Sequence, residues 1–313
     1  LPALLGFAIA LQTQTGFDIL YFFLAMIAII CNHLALNMTD DYYDFLHGTD
    51  VLDLDRKNQY SGGSGVLVSK EMSTSTMKIA FFVFYCITIM IGLYLTIRLG
   101  WIILLFGMIG VFSSYFYTAP PIKFAYRGFG EIAILINLGP LITIGSYYVA
   151  TQSISMEIAI LSLPLGLLVF AQILANELPD YIDDGRSSKR TLVVIFGKKL
   201  GLNLIIIATI LAYASVLVSV LIGIAPKIIL ISLSSIYMAY KSIRLLSKTL
   251  HDKHIEGNLE MMKTHHFTAI SLICAYCIEA LINGKNISSI MIILLTLLSL
   301  YLPVIMHFKR TRQ

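Results

Sequence analysis

Ten apolar segments alternate with polar ones along this chain, at roughly 1–12, 17–39, 74–98, 100–117, 129–150, 155–177, 199–222, 226–246, 265–283 and 286–308. A helix needs about 20 mostly apolar residues to cross the hydrocarbon core of a bilayer. Within hydrocarbon every backbone polar group must be satisfied internally, so spanning segments of this length are helices. Only 13% of the 313 residues are charged, against about 25% in soluble domains. The chain therefore reads as one all-α, polytopic transmembrane bundle of about nine or ten helices, a single domain over 1–313. The longest polar stretch, Asp40 to Thr74, leaves no room for a separate soluble domain. The first segment is too short to span and starts at Leu1, so we read it as a helix lacking its N-terminal half. It has no basic region or cleavage site of a signal peptide.

Basic residues set the orientation, because Lys and Arg stay on the cytoplasmic side. Of 22 Lys and Arg, all but Arg98, Lys227 and Lys285 fall after the even-numbered segments or in the C-terminal tail. Those loops and the tail are expected in the cytoplasm. The net charge of +4 is too small to argue for a nucleic-acid partner.

Ten of the 18 acidic residues fall in two short windows on that cytoplasmic side. The first holds Asp40, Asp41, Asp44, Asp50, Asp53 and Asp55; the second holds Glu177, Asp180, Asp183 and Asp184. Asn37, Asp40, Asp41 and Asp44 are spaced i, i+3, i+4 and i+7, which is one helical face. Asn176, Asp180 and Asp184 repeat the pattern at i, i+4 and i+8. Carboxylates stacked this way repel one another, and near a membrane their desolvation adds to the cost. A hard divalent cation offsets both, and Mg²⁺ commonly bridges such carboxylates to substrate phosphates. Two alternatives stand beside this reading: hydrophilic helix ends, and an ion-transport site. Transport acids usually lie near the midplane on broken helices, whereas these lie at segment ends.

Other residues carry less. Cys274 and Cys277 form a C-x-x-C without clustered partners and read as buried small hydrophobes, as do Cys31 and Cys86. His33, about a turn above Asn37, reads as a satisfied core histidine or, alternatively, as part of a pocket wall. His265 and His266 lack the neighbours of a metal site. The Gly-rich run from Gln59 to Gly65 reads as a flexible loop, with a mobile lid or a phosphate-facing nest as the alternative.

The two acidic windows resemble the paired Asp-rich motifs of the UbiA superfamily of intramembrane prenyltransferases, here Asn37/Asp41/Asp44 (with Asp40 as an alternative frame) and Asp180/Asp184. A third segment, Tyr117-Thr-Ala-Pro120-Pro121-Ile-Lys123-Phe-Ala-Tyr126-Arg127-Gly128-Phe-Gly130-Glu131, is similar to a signature of that family's menaquinone-biosynthesis branch. His47-Gly48-Thr49-Asp50 and Lys189-Arg190-Thr191-Leu192 match further branch motifs. Two departures stand out. Pro179 precedes Asp180 where many relatives carry Arg, and the segment 286–308 is one more than the family's usual nine.

The resemblance implies a helical bundle around a central cavity in a prokaryotic cell membrane, opening to the cytoplasm. It implies Mg²⁺-dependent transfer from a prenyl diphosphate, geranylgeranyl or longer, to an aromatic acceptor such as 1,4-dihydroxy-2-naphthoate. Asp41, Asp44, Asp180 and Asp184 would hold Mg²⁺, with Asp40 and Asp183 as further ligands or their supports. Asn37 and Asn176 would orient metal waters or phosphate oxygens. Arg56, Lys57, Lys123, Lys189, Arg190 and, in place of the missing arginine, Arg186 are candidates for the diphosphate, Lys123 and Lys189 foremost. Tyr117 would stabilise an allylic cation or activate the acceptor, or else simply anchor its helix at the interface. A glycerol phosphate ether acceptor and a cation transporter remain as alternative functions.

Overall fold

Two of the long helices, Ile19–His47 and Thr74–Leu99, start at a capping side chain and stop at a glycine, which relieves the backbone groups that a helix end leaves unpaired. The computed structural model describes residues 1–13, 17–48, 63–186, 189–248 and 256–310, the side chains of Asp183 and 302–310 excepted. After α1 (Pro2–Ala10), Asp18 caps α2 (Ile19–His47) by accepting from the N–H groups of Leu20 and Tyr21, and Gly48, at φ +77°, closes it. Ser73 caps α3 (Thr74–Leu99), and Gly100 separates it from α4 (Trp101–Tyr115). The segment expected at 129–150 is α5 (Gly130–Ile136), a π-helical turn at Asn137–Leu141, and α6 (Ile142–Thr151). Pro140 lies inside that turn and contributes no N–H to the ladder. Then follow α7 (Met156–Leu161), α8 (Leu163–Arg186), the short α9 (Leu192–Phe196) and α10 (Lys198–Leu221). A 3₁₀ segment at Lys227–Ser235 leads into α11 (Ile236–Lys248), and α12 (Glu256–Ile282) and α13 (Ile287–Arg310) complete the bundle.

Among the described residues, seven helical stretches are long and apolar enough to cross a membrane, and Trp101–Tyr115 and Ile287–Tyr301 are shorter apolar helices. The extra segment near the C-terminus is thus helical. α12 begins nine residues before the expected 265, at Glu256. Its polar first turns are held against α11 by Glu260, whose carboxylate takes Lys241 at 3.0 Å and Lys263 at 2.9 Å. Large apolar side chains cover the outside; Ile97 is 83% exposed and Trp101 70%. Surface of that kind is untenable in water, and the protein is an integral membrane protein.

Lipid tails are as apolar as leucine, so close packing rather than burial from water holds such helices together. Leu4, Phe7, Phe22, Tyr147, Ile158 and Tyr276 join α1, α2, α6, α7 and α12 in one core. Leu174, Leu178, Val193, Ile205, Leu246 and Met261 join α8 to α12 in another. The α5–α6 segment crosses α8 at bare backbone: a Cβ on Gly139 would stand 2.5 Å from Gly166 Cα, and one on Gly166 would stand 2.7 Å from the Leu135 carbonyl oxygen.

Candidate active site

The acidic face of α2 meets a different partner at each turn. Asn37 and Asp40 line the cavity described below. Asp41 Oδ1 accepts the Ser64 N–H at 3.1 Å, so the end of the Gly-rich run reaches the first motif. Asp44 is buried, and both of its oxygens are engaged: Tyr126 Oη donates to Oδ1 at 2.7 Å and Lys189 Nζ to Oδ2 at 3.2 Å. One turn on, Lys123 Nζ donates to His47 Nε2 at 2.7 Å, which places the ring proton on Nδ1.

Lys189 links the two motifs. Its backbone N–H donates to the Asp184 carbonyl oxygen at 3.0 Å while its ammonium sits on Asp44. Burial works against its charge, but Asp44, Asp40 and Asp184 more than reverse that effect and hold its pKa well above the ordinary lysine value. The Tyr126 ring lies between two ammonium groups, 5.6 Å from Lys123 Nζ and 5.9 Å from Lys189 Nζ, an attractive arrangement for a π face.

The segment from Tyr117 to Glu131 is built to bring these groups together. After Pro120–Pro121, whose peptide bond is cis, the chain turns back, and the N–H groups of Phe124 and Ala125 donate to the carbonyls of Phe116 and Tyr117. Gly130 fits against this return; a Cβ there would meet Ala125 Cα at 2.8 Å and the Tyr117 ring at 3.2 Å. Gly128 adopts φ +75°, where an L side chain is strained. Next to it Arg127 and Arg190 pair as an isolated parallel bridge, and Glu131 Oε1 accepts the Leu192 N–H at 2.6 Å.

Below the acids lies a mainly apolar cavity of about 360 Å³, within the range of small-molecule sites. Its walls come from α2 to α6, with Ile173 of α8. Both Asp40 and Ala25 of α2 line it, a separation of about 22 Å at 1.5 Å per residue. Tyr117 belongs to the wall, as does His33, so the core reading of that histidine is corrected. The polar groups in the wall include two pairs that satisfy each other, Ser114 with Asn32 at 3.1 Å and Ser113 with Asn137 at 2.8 Å.

Of the residues singled out from the sequence, Asp40, Asp44, Asp184, Lys189 and Tyr117 converge, and Asn37, Asp41 and Lys123 adjoin them. Asn176 and Asp180 are half-buried on α8, with Pro179 inside the same helix. Arg190 and Arg186 have exposed side chains. Arg56, Lys57 and the acids at 50, 53 and 55 lie outside the described residues, as does the Asp183 side chain. Tyr126, His47 and Ser64 are site residues that the sequence reading left without a role. The donor set suits Mg²⁺ in type, since these are hard carboxylate oxygens, and in charge, since Asp40, Asp44 and Asp184 already surround an ammonium. Among the described residues no three carboxylate, imidazole or thiol groups close on a single point. All four cysteines are free; Cys31 and Cys277 are buried as expected, whereas Cys86 is exposed on the outer face of α3 and Cys274 is only half-buried.

The site is thus a cluster of acidic helix residues and lysines next to an apolar cavity that Asn37 and Asp40 line, inside a membrane bundle. The family model described as "UbiA prenyltransferase family" matches residues 1–256, and the chain belongs to that family. It is 29% identical over 234 residues to the 1,4-dihydroxy-2-naphthoate octaprenyltransferase of Bacillus subtilis (strain 168), covering 74% of this chain and 73% of that one. It is 27% identical over 172 residues to the 2-carboxy-1,4-naphthoquinone phytyltransferase of Synechocystis sp., covering 55% and 54%; the chain thus spans about half the length of that relative. A UbiA homolog from Archaeoglobus fulgidus, solved bound to DMAPP and Mg²⁺, shares the fold with a TM-score of 0.66 at 15% identity, covering 88% of this chain and 93% of that one.

Proposed function

We propose that this protein transfers a prenyl group from a prenyl diphosphate, geranylgeranyl or longer, to an aromatic acceptor, 1,4-dihydroxy-2-naphthoate or a related quinone precursor. The observation that carries the reading is the Lys189–Asp44 ion pair, under the charge of Asp40 and Asp184, with Asp40 itself lining a long apolar cavity. The named activities of the Bacillus and Synechocystis relatives supply the acceptor class.

Asp41, Asp44, Asp180 and Asp184, with Asp40 and Asp183, would hold Mg²⁺. The ion would neutralise the diphosphate and act as a Lewis acid on the leaving group. Lys189 and Lys123 bind the departing diphosphate, and Arg190, Arg56 and Lys57 are further candidates. Asn37 and Asn176 orient its oxygens or their waters. The C1–O bond breaks with its electron pair going to the diphosphate, and the apolar wall keeps water from the allylic cation. Tyr117 offers its ring to that cation. A ring carbon of the acceptor then bonds to C1, and the ring loses a proton. The cavity opens to the cytoplasm of a prokaryotic cell by the charge distribution of the loops, and 1–313 acts as one domain.

The test is pyrophosphate release from geranylgeranyl diphosphate by the purified protein, with Mg²⁺ or EDTA and with or without dihydroxynaphthoate. Release that needs both Mg²⁺ and the acceptor is expected. Release indifferent to dihydroxynaphthoate would redirect the acceptor, towards a glycerol phosphate ether among others. No release by folded protein would overturn the donor, and transport of a cation would be examined next. A carrier has no use for Lys189, so Lys189→Ala would leave transport intact.

A further inference from the structure

Glu131 is 1% exposed and is not among the residues that line the cavity. Its Oε1 takes the N–H of Leu192, the first residue of α9, at 2.6 Å. That bond joins the end of the 117–131 segment to the 189–192 segment. The Arg127–Arg190 bridge joins the same two segments one step away. The start of α9 and the 117–131 segment are thus tied at a buried carboxylate, and the residue that projects from the tied segment onto Asp44 is Lys189.

We propose that Glu131 is a positioning residue: its bond to the Leu192 N–H fixes the 189–192 segment so that Lys189 reaches Asp44 and the diphosphate. The proposal deepens the prenyl-transfer reading and rests on it for its kinetic arm. Glu131 does not touch the reacting atoms and acts through Lys189. What the bond requires is an acceptor oxygen, which glutamine also supplies.

The test is a double-mutant cycle. Glu131→Ala is expected to lower kcat/KM about tenfold in the natural background and less than twofold in Lys189→Met, because residues on one path couple. Glu131→Gln should stay within about twofold of the unsubstituted protein. Leu192→Pro removes the donor from the other side at a position where a helix accepts proline, and should reproduce Glu131→Ala, which covers the case in which that variant does not fold. Amide exchange needs no turnover: the Leu192 N–H should exchange faster in Glu131→Ala than in Glu131→Gln. A tenfold loss that persists in Lys189→Met, a Glu131→Gln as impaired as Glu131→Ala, or unchanged exchange at Leu192 would each overturn the proposal. If the unsubstituted protein releases no pyrophosphate, the exchange arm still decides the tie while the prenyl-transfer reading fails.

Discussion

Tyr126 carries more of this site than its place in a loop suggests. Its hydroxyl holds Asp44 Oδ1 while its ring sits between Lys123 and Lys189. A hydrogen bond to a charged group contributes about 1.5–3 kcal/mol. Tyr126→Phe keeps the ring and the flanking ammonium groups and removes only the bond. It should lower kcat/KM by about tenfold or more, with the thermal midpoint of the detergent-purified protein little changed. Equal activity would mean that Lys189 alone fixes Asp44. Asp41→Ala and Asp180→Ala should go further and abolish transfer without unfolding the protein; turnover like that of the unsubstituted enzyme in either would remove the carboxylates from the mechanism. The aspartates were legible in the sequence because their spacing is local, one helical face each. Tyr126, His47 and Ser64 were not, because their roles come from contacts between segments far apart in the chain. No periodicity records that Tyr126 meets Asp44, 82 residues away. His33 misled for the same reason, since a helix face does not state whether it borders packed side chains or a cavity.

At the level of helices, hydropathy located the apolar segments well and their ends less well. α12 starts early because Glu260 and its two lysines make polar turns affordable beside α11, which no apolar count detects. The π turn at Asn137–Leu141 hides inside a segment of ordinary hydropathy, where Pro140 is the only local sign. It matters because it sits at the α8 crossing, where Gly139 and Gly166 meet without side chains. Gly166→Ala would press a Cβ to 2.7 Å from the Leu135 carbonyl oxygen. Overpacking of this kind costs about 1–3 kcal/mol, and backbone cannot step aside as a flexible side chain does. A lowered thermal midpoint is expected in Gly166→Ala, and one unchanged from the natural protein would show that α5 and α8 can separate at no cost. Gly92→Ala, with no atom within 4 Å of its built Cβ, is the control and should be neutral.

Across the whole molecule, the two motifs can cooperate only if α2 and α8 deliver them to the same membrane face. Arg127 and Arg190 pair through backbone at that face and both have exposed side chains, while Gln152, exposed at the end of α6, lies one membrane crossing away from Arg127. The proposed orientation, in which Lys and Arg resist translocation, has the Arg127 and Arg190 face in the cytoplasm. Single cysteines at these positions, in a protein whose four native cysteines are replaced, test both statements with a membrane-impermeant thiol reagent. Arg127→Cys and Arg190→Cys should label in inverted vesicles and stay protected in intact cells, and Gln152→Cys should do the opposite. Labelling of Arg127→Cys and Arg190→Cys from opposite sides would break the site apart, since Lys189 could not then reach Asp44. Labelling of both from the outside would keep the site and reverse the protein. The proposed reaction ties this result to the substrate: a diphosphate head is too polar to cross the hydrocarbon core, so under that proposal the cavity would open on the face where the head resides, and the labelled face of Arg127→Cys and Arg190→Cys says which face that is.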